Sequence, residues 1–520
     1  MVRCSPCARL GASAFLLAIL VGCAERGASP RPQWEDHAAF ETAEGRFHLV
    51  NRITWGATPG ALRELEALGT ARYLEAQLKP GPVALPAAVQ ARVDALTINA
   101  RPLESILFDV EQQRRAALSI ADPESRKAAQ RAYQQELTRL GREAATRSLL
   151  RAIHSPSQLE EQMTWFWVNH FSVFQFKGNV RAMVGDYEEN AIRPHALGRF
   201  RALLGATAKH PAMLRYLDNA QNAAHRQNES YARELMELHT LGADAGYTQQ
   251  DVQELARILT GVGIAFMPAA PGVRGARQAD HVRAGAFEFN PNRHDYGDKR
   301  FLGRTVKGAG LNELEEVLDQ LARHPATARF VTRKLAVYFV SDDPPAELVE
   351  RLARTFQSSD GDIAATLRVL FATPEFARSM GRKYKDPVHY VVSALRLVSE
   401  QQPVVNVAPA LAWLNRMGQG LYGRQTPDGY PLTESAWTSP GQMTTRFEIA
   451  TAMGSFGPEL FAAAASARAE SMNLPQLSRI AYGPTLQKTL HPRTRDALAQ
   501  ARSAAEWNVY FLSSPEFMRR

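Results

Sequence analysis

The sequence predicts an all-α fold, a large and mainly helical single domain with long loops. Apolar residues recur at three- and four-residue steps, the period of an amphipathic helix, as in the series Leu62, Leu65, Leu68, Tyr73, Leu74 and Leu78. Helix starts with a capping side chain before a proline are frequent, and strand-like alternation is scarce. Hydrophobic residues make up 45% of the chain and charged residues 22%, which is typical of globular proteins and not of disordered chains.

The first 22 residues predict a lipoprotein signal peptide. Arg3 and Arg9 accompany an apolar run over residues 10–21, which is too short to cross a bilayer as a mature helix. The run ends in Leu20-Val21-Gly22-Cys23, where small residues before a cysteine are typical of a bacterial lipobox. We therefore expect Cys23 to be the first residue of the mature protein and to carry fatty acid such as palmitate. Ordinary signal-peptidase cleavage nearby, with Cys23 incidental, is the alternative.

The lipid would anchor the protein to the cell envelope. The residue after Cys23 indicates which of the two membranes holds the anchor. Ala24 is not the aspartate of an inner-membrane retention signal, so we expect an outer-membrane location that faces the periplasm or the exterior. Residues 23–45 are polar and include Pro30 and Pro32, which predicts a flexible tether. The helical domain is expected to span residues 46–520.

The composition excludes cysteine chemistry and argues against nucleic-acid binding. Of the three cysteines, Cys4 and Cys7 lie in the leader, so the mature chain would hold only the lipidated Cys23. No disulfide, thiol nucleophile or cysteine metal site is therefore expected. The formal net charge is +8, but the basic residues are spread along the chain and form no concentrated stripe for nucleic acid.

Proline and glycine divide the predicted helices. Residues 112–150 predict one or two exposed helices with a break near Asp122-Pro123. Further helices are expected to begin at His210-Pro211, His324-Pro325, Thr373-Pro374 and Ser514-Pro515. The Gly/Pro-rich residues 268–286 predict a long loop between two helical halves. Since no second core is evident, one domain is the simpler interpretation.

The strongest candidate for chemistry is the segment 228–239. On a helix, Glu229, Arg233 and Glu237 would follow one another at i, i+4 and i+8, which places a guanidinium between two carboxylates. If this array is buried at a cleft, burial raises the pKa of one carboxylate while the arginine keeps another ionised. Candidate catalytic residues are therefore Glu229, Arg233 and Glu234. An exposed salt-bridge ladder on a helix surface is the alternative.

Three further constellations combine polar and aromatic residues. The run Trp165-Phe166-Trp167-Val168-Asn169-His170-Phe171 predicts heavy burial, so His170 is a ligand, a base or a core histidine with satisfied hydrogen bonds. His294-Asp295 follows the long loop, and loops on a rigid scaffold often carry function. Thr426-Pro427-Asp428-Gly429-Tyr430-Pro431 predicts a turn before Trp437. Exposed rings there would stack on a sugar, although a packed loop fits the pattern better.

No motif implies a bound cofactor. The sequence contains no H-E-x-x-H, no Walker loop and no G-x-S-x-G elbow. Gly261-Val262-Gly263 is too short for a nucleotide-binding fingerprint. We therefore expect a protein that works without a cofactor.

Together these blocks resemble the bacterial family named domain of unknown function 1800. The resemblance begins at residue 51 and is most specific in the segments 228–242, 246–261, 294–299, 324–330 and 427–431. The candidates that fit the family pattern are Glu229, Arg233, Glu234, His170, His294 and Asp295. The resemblance implies an exported, mainly helical protein of unestablished activity. It also implies gene neighbours from a second exported family that resembles sulfatases and alkaline phosphatases.

Three functions are compatible with these observations. The first is a glycan-acting hydrolase in which Glu229 or Glu234 is the acid or base, Arg233 orients it, and His170 or His294-Asp295 assists. The second is a non-catalytic binding or scaffold lipoprotein that acts with the sulfatase-like partner. The third is a metal-binding protein with nitrogen and oxygen ligands from His170, Glu234, His294 and Asp295.

Overall fold

The fold is built mainly from α-helices, as the sequence predicts. The computed structural model of the chain describes residues 38–82, 84–268, 271–273, 275–400, 402–454, 460–461, 477–480 and 490–520. The leader, Cys23 and most of the predicted tether lie outside the described residues. The lipoprotein hypothesis therefore stays a prediction.

The α-helices of at least five residues account for more than half of the described residues. They are α1 (Ala43–Ile53), α2 (Pro59–Leu68), α3 (Thr70–Leu78), α4 (Ala87–Asp94), α5 (Leu103–Ser119), α6 (Pro123–His154), α7 (Gln158–His170), α8 (Phe200–Lys209), α9 (Pro211–Tyr216), α10 (Glu229–Glu237), α11 (Gln249–Ile258), α12 (Leu311–Arg323), α13 (Pro325–Phe339), α14 (Ala346–Ser358), α15 (Ile363–Phe371), α16 (Pro374–Arg378), α17 (Pro387–Ser399), α18 (Ala408–Arg416), α19 (Pro440–Gly454), α20 (Pro492–Ala499) and α21 (Ala504–Leu512). The predicted break near Asp122-Pro123 is confirmed, because α5 ends and α6 begins there.

Three of the four predicted capping motifs begin helices. His210, His324 and Thr373 each accept a hydrogen bond from a backbone N–H of the first turn, and a proline follows each of them. The prediction at Ser514-Pro515 is wrong, since the residues after it form turns. Arg519 pairs with another part of the backbone in an antiparallel bridge, which takes the chain end away from a helical course.

Two small antiparallel sheets interrupt the helices. The first has the order β1-β3-β2, with β1 at Val262–Ile264, β2 at Val282–Ala284 and β3 at Phe287–Phe289. The second is the hairpin of β4 (Lys299–Phe301) and β5 (Arg304–Val306). The prediction of one long loop over residues 268–286 is thus wrong in part. Strands of three residues are too short to show alternation in the sequence.

The core extends through both helical halves of the chain. One contiguous set of buried apolar residues runs from Phe40 to Met518. Helix α7 lies within it, and all of its residues except Glu160 are buried. Its aromatic run is therefore enclosed, as its composition predicts. Within the described residues, none of the helices is both long and apolar enough to cross a membrane.

Candidate functional site

Segments that the sequence singled out in α7, α10 and the loop 424–431 meet in one place. His170 at the end of α7 donates from Nε2 to the carbonyl oxygen of His239, just beyond α10, at 3.0 Å. The neighbouring Asn169 donates from Nδ2 to the Tyr430 carbonyl at 2.9 Å and accepts the Tyr430 backbone N–H at 2.6 Å. The end of α7 therefore positions both α10 and the loop.

The loop carries Asp428 on a tight turn that lies directly on the end of α7. Gly429 has φ +78°, and a Cβ there would lie 2.1 Å from the carbonyl oxygen of Asn169, so only glycine fits without a shift. Arg424 pairs with the Asp428 carboxylate at 3.0 Å, and the Thr426 hydroxyl donates to it at 2.5 Å. The Asp428 side chain stays 52% exposed and is open to a ligand.

Glu234, which is on α10, lies in the same cluster as Asp428 and the end of α7. The helix buries its apolar face, which consists of Tyr231, Ala232, Leu235 and Met236. Glu234 is half-buried beside this face, and its carboxylate makes no hydrogen bond or ion pair among the described residues. Burial raises the pKa of Glu234, and the charges of Glu237 and Asp428 raise it further against the effect of Arg233.

Asp428 responds to its surroundings in the opposite direction. Burial acts to raise its pKa, but the hydrogen bonds from Arg424 and Thr426 outweigh that effect and lower the pKa of Asp428. The charge of Asp428 in turn acts on Glu234. Two interacting carboxyl groups thus have pKa values that are moved apart, which is the arrangement found in acid–base pairs.

Lys334 of α13 adds a positive charge to the cluster. Its ammonium makes no hydrogen bond or ion pair within the part of the chain that the structure describes, and its Nζ lies 5.6 Å from the centre of the Phe330 ring. Burial lowers the pKa of Lys334 to about 8, while the charge of Asp428 acts in the opposite direction. The site therefore combines two carboxyl groups with an amine that has no fixed partner.

The two histidines of the cluster are buried and uncharged. Burial lowers the pKa of His239 to about 3 and that of His170 well below its usual range, and the Lys334 charge adds to both shifts. His170 is only 1% exposed and packs against aromatic rings, including that of Phe171 at 4.5 Å between centroids. Its Nδ1 has no hydrogen-bond partner among the described residues. The structure thus places His170 next to the site but buried, without access to solvent.

The hypothesis that the candidate residues Glu229, Arg233 and Glu234 form a buried array is wrong for the first two of them. The side chains of Arg233 and Glu229 are 42% and 39% exposed, and their ion pair spans 3.6 Å. Both also bond to the side-chain amide of Gln249 on α11. The reason is geometric, because residues spaced at i and i+4 share one face and the core takes the other face with Tyr231.

Replacing Arg233 with alanine is therefore expected to change stability very little. An exposed i, i+4 pair contributes only about 0.3–0.5 kcal/mol, so the denaturant midpoint should match that of Arg329→Ala, a change to an exposed arginine of α13. Equilibrium urea unfolding of the two variants measures this. A loss of about 3 kcal/mol or more, as for a broken buried pair, would contradict the exposed arrangement.

His294 and Asp295 belong to a different network beside the second sheet. His294 Nε2 bonds to the Glu313 carboxylate at 2.9 Å, and Lys299 Nζ pairs with the other oxygen of Glu313 at 2.5 Å. All three side chains are fully buried. Asp295 is half-buried and pairs with Arg257 at 2.8 Å. These contacts tie β4, α11 and α12 together, and none of them involves Glu234 or His170.

The comparison with known families gives one match, and it covers nearly the whole chain. The family described as "Protein of unknown function (DUF1800)" matches residues 48–519. The chain belongs to this family. Neither the curated proteins nor the solved structures contain a match. The resemblance stated from the sequence is therefore confirmed, and the DUF1800 assignment carries no activity with it.

The placement of the four proposed metal ligands does not support the hypothesis of a metal site. Among the residues that the structure describes, no group of three or more His, Cys, Asp or Glu side chains is arranged to hold a metal ion. His170 and Glu234 lie at one cluster, whereas His294 and Asp295 lie at the other. The four therefore do not form a common ligand set.

Two residues of the cluster around Glu234 were not predicted as site residues. Asp428 stands in a Pro-Asp-Gly motif, which indicates a turn before it indicates chemistry. Lys334 is a single lysine on an amphipathic helix, and no sequence pattern distinguishes it from a surface lysine. The aromatic Trp437 is 6% exposed and donates to the Pro431 carbonyl at 3.0 Å, which agrees with the packed-loop interpretation.

Proposed function

We propose that this chain is an exported, lipid-anchored hydrolase that cleaves glycosidic bonds, with Glu234 as general acid and Asp428 as its ionised partner. One observation carries the proposal: two interacting, solvent-accessible carboxyl groups whose pKa values are moved in opposite directions. Glycosidases commonly use two carboxyl groups in this way, one protonated and one ionised. The residue pair differs from the one expected from the sequence, in which Glu229 or Glu234 was combined with Arg233.

In this proposal the two groups perform different steps. The Glu234 carboxyl gives its proton to the glycosidic oxygen, so that the bond from this oxygen to the anomeric carbon breaks and the leaving group departs as a neutral alcohol. The Asp428 carboxylate, held ionised by Arg424 and Thr426, stabilises the positive charge that develops on the sugar ring or activates the attacking water. The Asn169 contacts to the loop keep Asp428 in place and act on its position only.

The surroundings of the pair support a saccharide that carries an anionic substituent. Lys334 provides an amine without a fixed partner among the described residues. Tyr430 follows Asp428 closely in the chain; it is half-buried, and its hydroxyl donates to the Gly420 carbonyl at 2.8 Å. An acidic polysaccharide of the bacterial envelope would place its anionic groups near Lys334. Such a polysaccharide also lies where a lipid-anchored protein would meet it.

The test is release of new reducing ends from such glycans. The purified mature protein is incubated with peptidoglycan sacculi and with acidic and neutral envelope polysaccharides. We expect reducing ends to appear with an acidic glycan, and the rate to fall as the pH rises through the Glu234 pKa, because the acid must be protonated. Binding of these glycans without any release of reducing ends would overturn the hydrolase proposal and favour a binding lipoprotein.

A further inference from the structure

A second site lies far along the chain from Glu234, around a cavity of about 600 Å³. Helix α1, the segment that precedes α17, and the residues around α20 and α21 form its wall. Its apolar lining includes Phe47, Met380, Phe511 and Phe517. Lys385 is among the lining residues as well. The volume falls within the range of about 300–1,000 Å³ that is usual for small-molecule sites.

Lys385 is an unusual member of this wall because its amine is buried without an acidic partner. The residue is 3% exposed. Its Nζ donates to the Ser393 hydroxyl at 3.1 Å and lies 4.0 Å from the centre of the Phe517 ring. No carboxylate among the described residues pairs with it. Buried ammonium groups normally pair with an acid, so this environment favours the neutral amine.

The charged groups around Lys385 strengthen this preference. Burial lowers the pKa of Lys385, and the positive charges of Arg520 and Arg446 lower it further. Arg446 is held in place by the Lys385 carbonyl oxygen, to which it donates at 2.8 Å. Asp386 is adjacent in the chain, but its carboxylate bonds to the His389 imidazole at 2.8 Å. A desolvated amine beside other cationic groups is the setting in which lysines become nucleophiles.

The acidic side chains of the cavity wall lie against groups other than Lys385. Glu44 lies 3.8 Å from His48 on the same helix. Glu516 accepts the backbone N–H of His491 at 2.7 Å. The basic Arg519 pairs with Glu434 at 2.8 Å. Among the described residues, neither of these two acids of the wall pairs with Lys385.

We propose that Lys385 is a nucleophilic lysine that captures small aldehydes or ketones with an apolar body in this cavity. The neutral amine attacks the carbonyl carbon and forms a carbon–nitrogen bond. The carbonyl oxygen leaves as water with the two amine protons, and a neutral imine results. The phenyl rings of Phe47, Phe511 and Phe517 receive the apolar part of the ligand. This site is independent of the hydrolase proposal.

The test uses benzaldehyde as the probe and sodium cyanoborohydride as the reductant, which converts the imine into a stable secondary amine. The folded protein is treated at pH 7, and the benzylated lysines are quantified by peptide mass spectrometry. We expect Lys385 to be modified at least about tenfold faster than the exposed Lys127, because an exposed lysine with a pKa of about 10.4 is almost wholly protonated at pH 7.

Two comparisons make the result decisive. Lys383 is also buried but is paired with Asp342, so it should be modified more slowly than Lys385. Protein unfolded in guanidinium chloride should lose the preference, because all lysines then have ordinary surroundings. Equal labelling of Lys385 and Lys127 in the folded protein, or a preference for Lys383, would overturn the proposal. The wild-type chain alone decides the matter, so no substituted variant has to fold.

Discussion

Replacing Glu313 with glutamine is expected to lower the free energy of unfolding by about 3–5 kcal/mol, the usual loss when one partner of a buried ion pair is removed. The carboxylate is fully buried and bonds to both His294 and Lys299. It also accepts the backbone N–H groups of Ala309 and Gly310, at 2.8 and 3.1 Å. Its neutralisation leaves the Lys299 charge buried without compensation. Equilibrium urea unfolding measures the change.

The matched control for this variant is Glu316→Gln, on the exposed face of the same helix. Surface changes of this kind usually stay within about 0.5 kcal/mol. The double variant Glu313→Gln/Lys299→Met should recover part of the loss, because it removes the uncompensated ammonium as well. An equal denaturant midpoint for Glu313→Gln and Glu316→Gln would show that the network does not stabilise the fold.

The pH dependence of this effect has a definite sign. Burial acts to raise the pKa of Glu313, but the bonds from His294 and Lys299 outweigh it and lower the pKa below the ordinary value of 4.5. The carboxylate therefore contributes its full stability above pH 4.5, and this contribution is lost as the pH falls through the lowered pKa. The difference between wild type and Glu313→Gln should shrink in acid.

Replacing Glu234 with glutamine is expected to reduce glycan hydrolysis by about 100- to 10,000-fold, the usual contribution of a general acid. Glutamine keeps the size of the side chain and removes the transferable proton together with the ability to ionise. Because Glu234 is half-buried and has no fixed partner among the described residues, the free energy of unfolding should stay within about 0.5 kcal/mol of wild type. Reducing-end release and urea unfolding measure the two quantities.

The same substitution at Glu229 is the informative comparison, since both residues belong to α10. Glu229 is exposed and bonds to Gln249, so Glu229→Gln should retain most of the activity. If Glu229→Gln and Glu234→Gln lose activity equally, the exposed face of α10 binds the substrate and the assignment of the acid to Glu234 is wrong.

The helical architecture was predictable because its signals are local. A histidine or threonine before a proline, as at His324 or Thr373, satisfies backbone N–H groups of the first helical turn wherever it occurs. The two sheets were not predictable, since each strand has only three residues, too few to show alternation, and β1 pairs with a strand more distant in the chain. The hairpin of β4 and β5 turns at Leu302-Gly303, both with positive φ, which a non-glycine first residue conceals in the sequence.

The site was predictable in its parts but not in its composition. Glu234 and His170 were expected, and the structure brings their segments together at the end of α7. Helical spacing alone does not tell which side of α10 faces a neighbour, so Glu229 and Arg233 were grouped with Glu234. Asp428 joins the site through long-range contacts of its loop, such as the hydrogen bond between Asn169 and Tyr430, which are 261 residues apart in the chain.

The coupling of Glu234 to Asp428 can be measured without any substrate. Carbon-13 NMR of the labelled glutamate carboxyl groups, assigned with Glu234→Gln, gives the Glu234 pKa in the wild type and in Asp428→Asn. We expect a raised Glu234 pKa in the wild type and a lower one in Asp428→Asn, because a neighbouring negative charge has been removed. An ordinary Glu234 pKa that does not change in Asp428→Asn would contradict the acid–base pair.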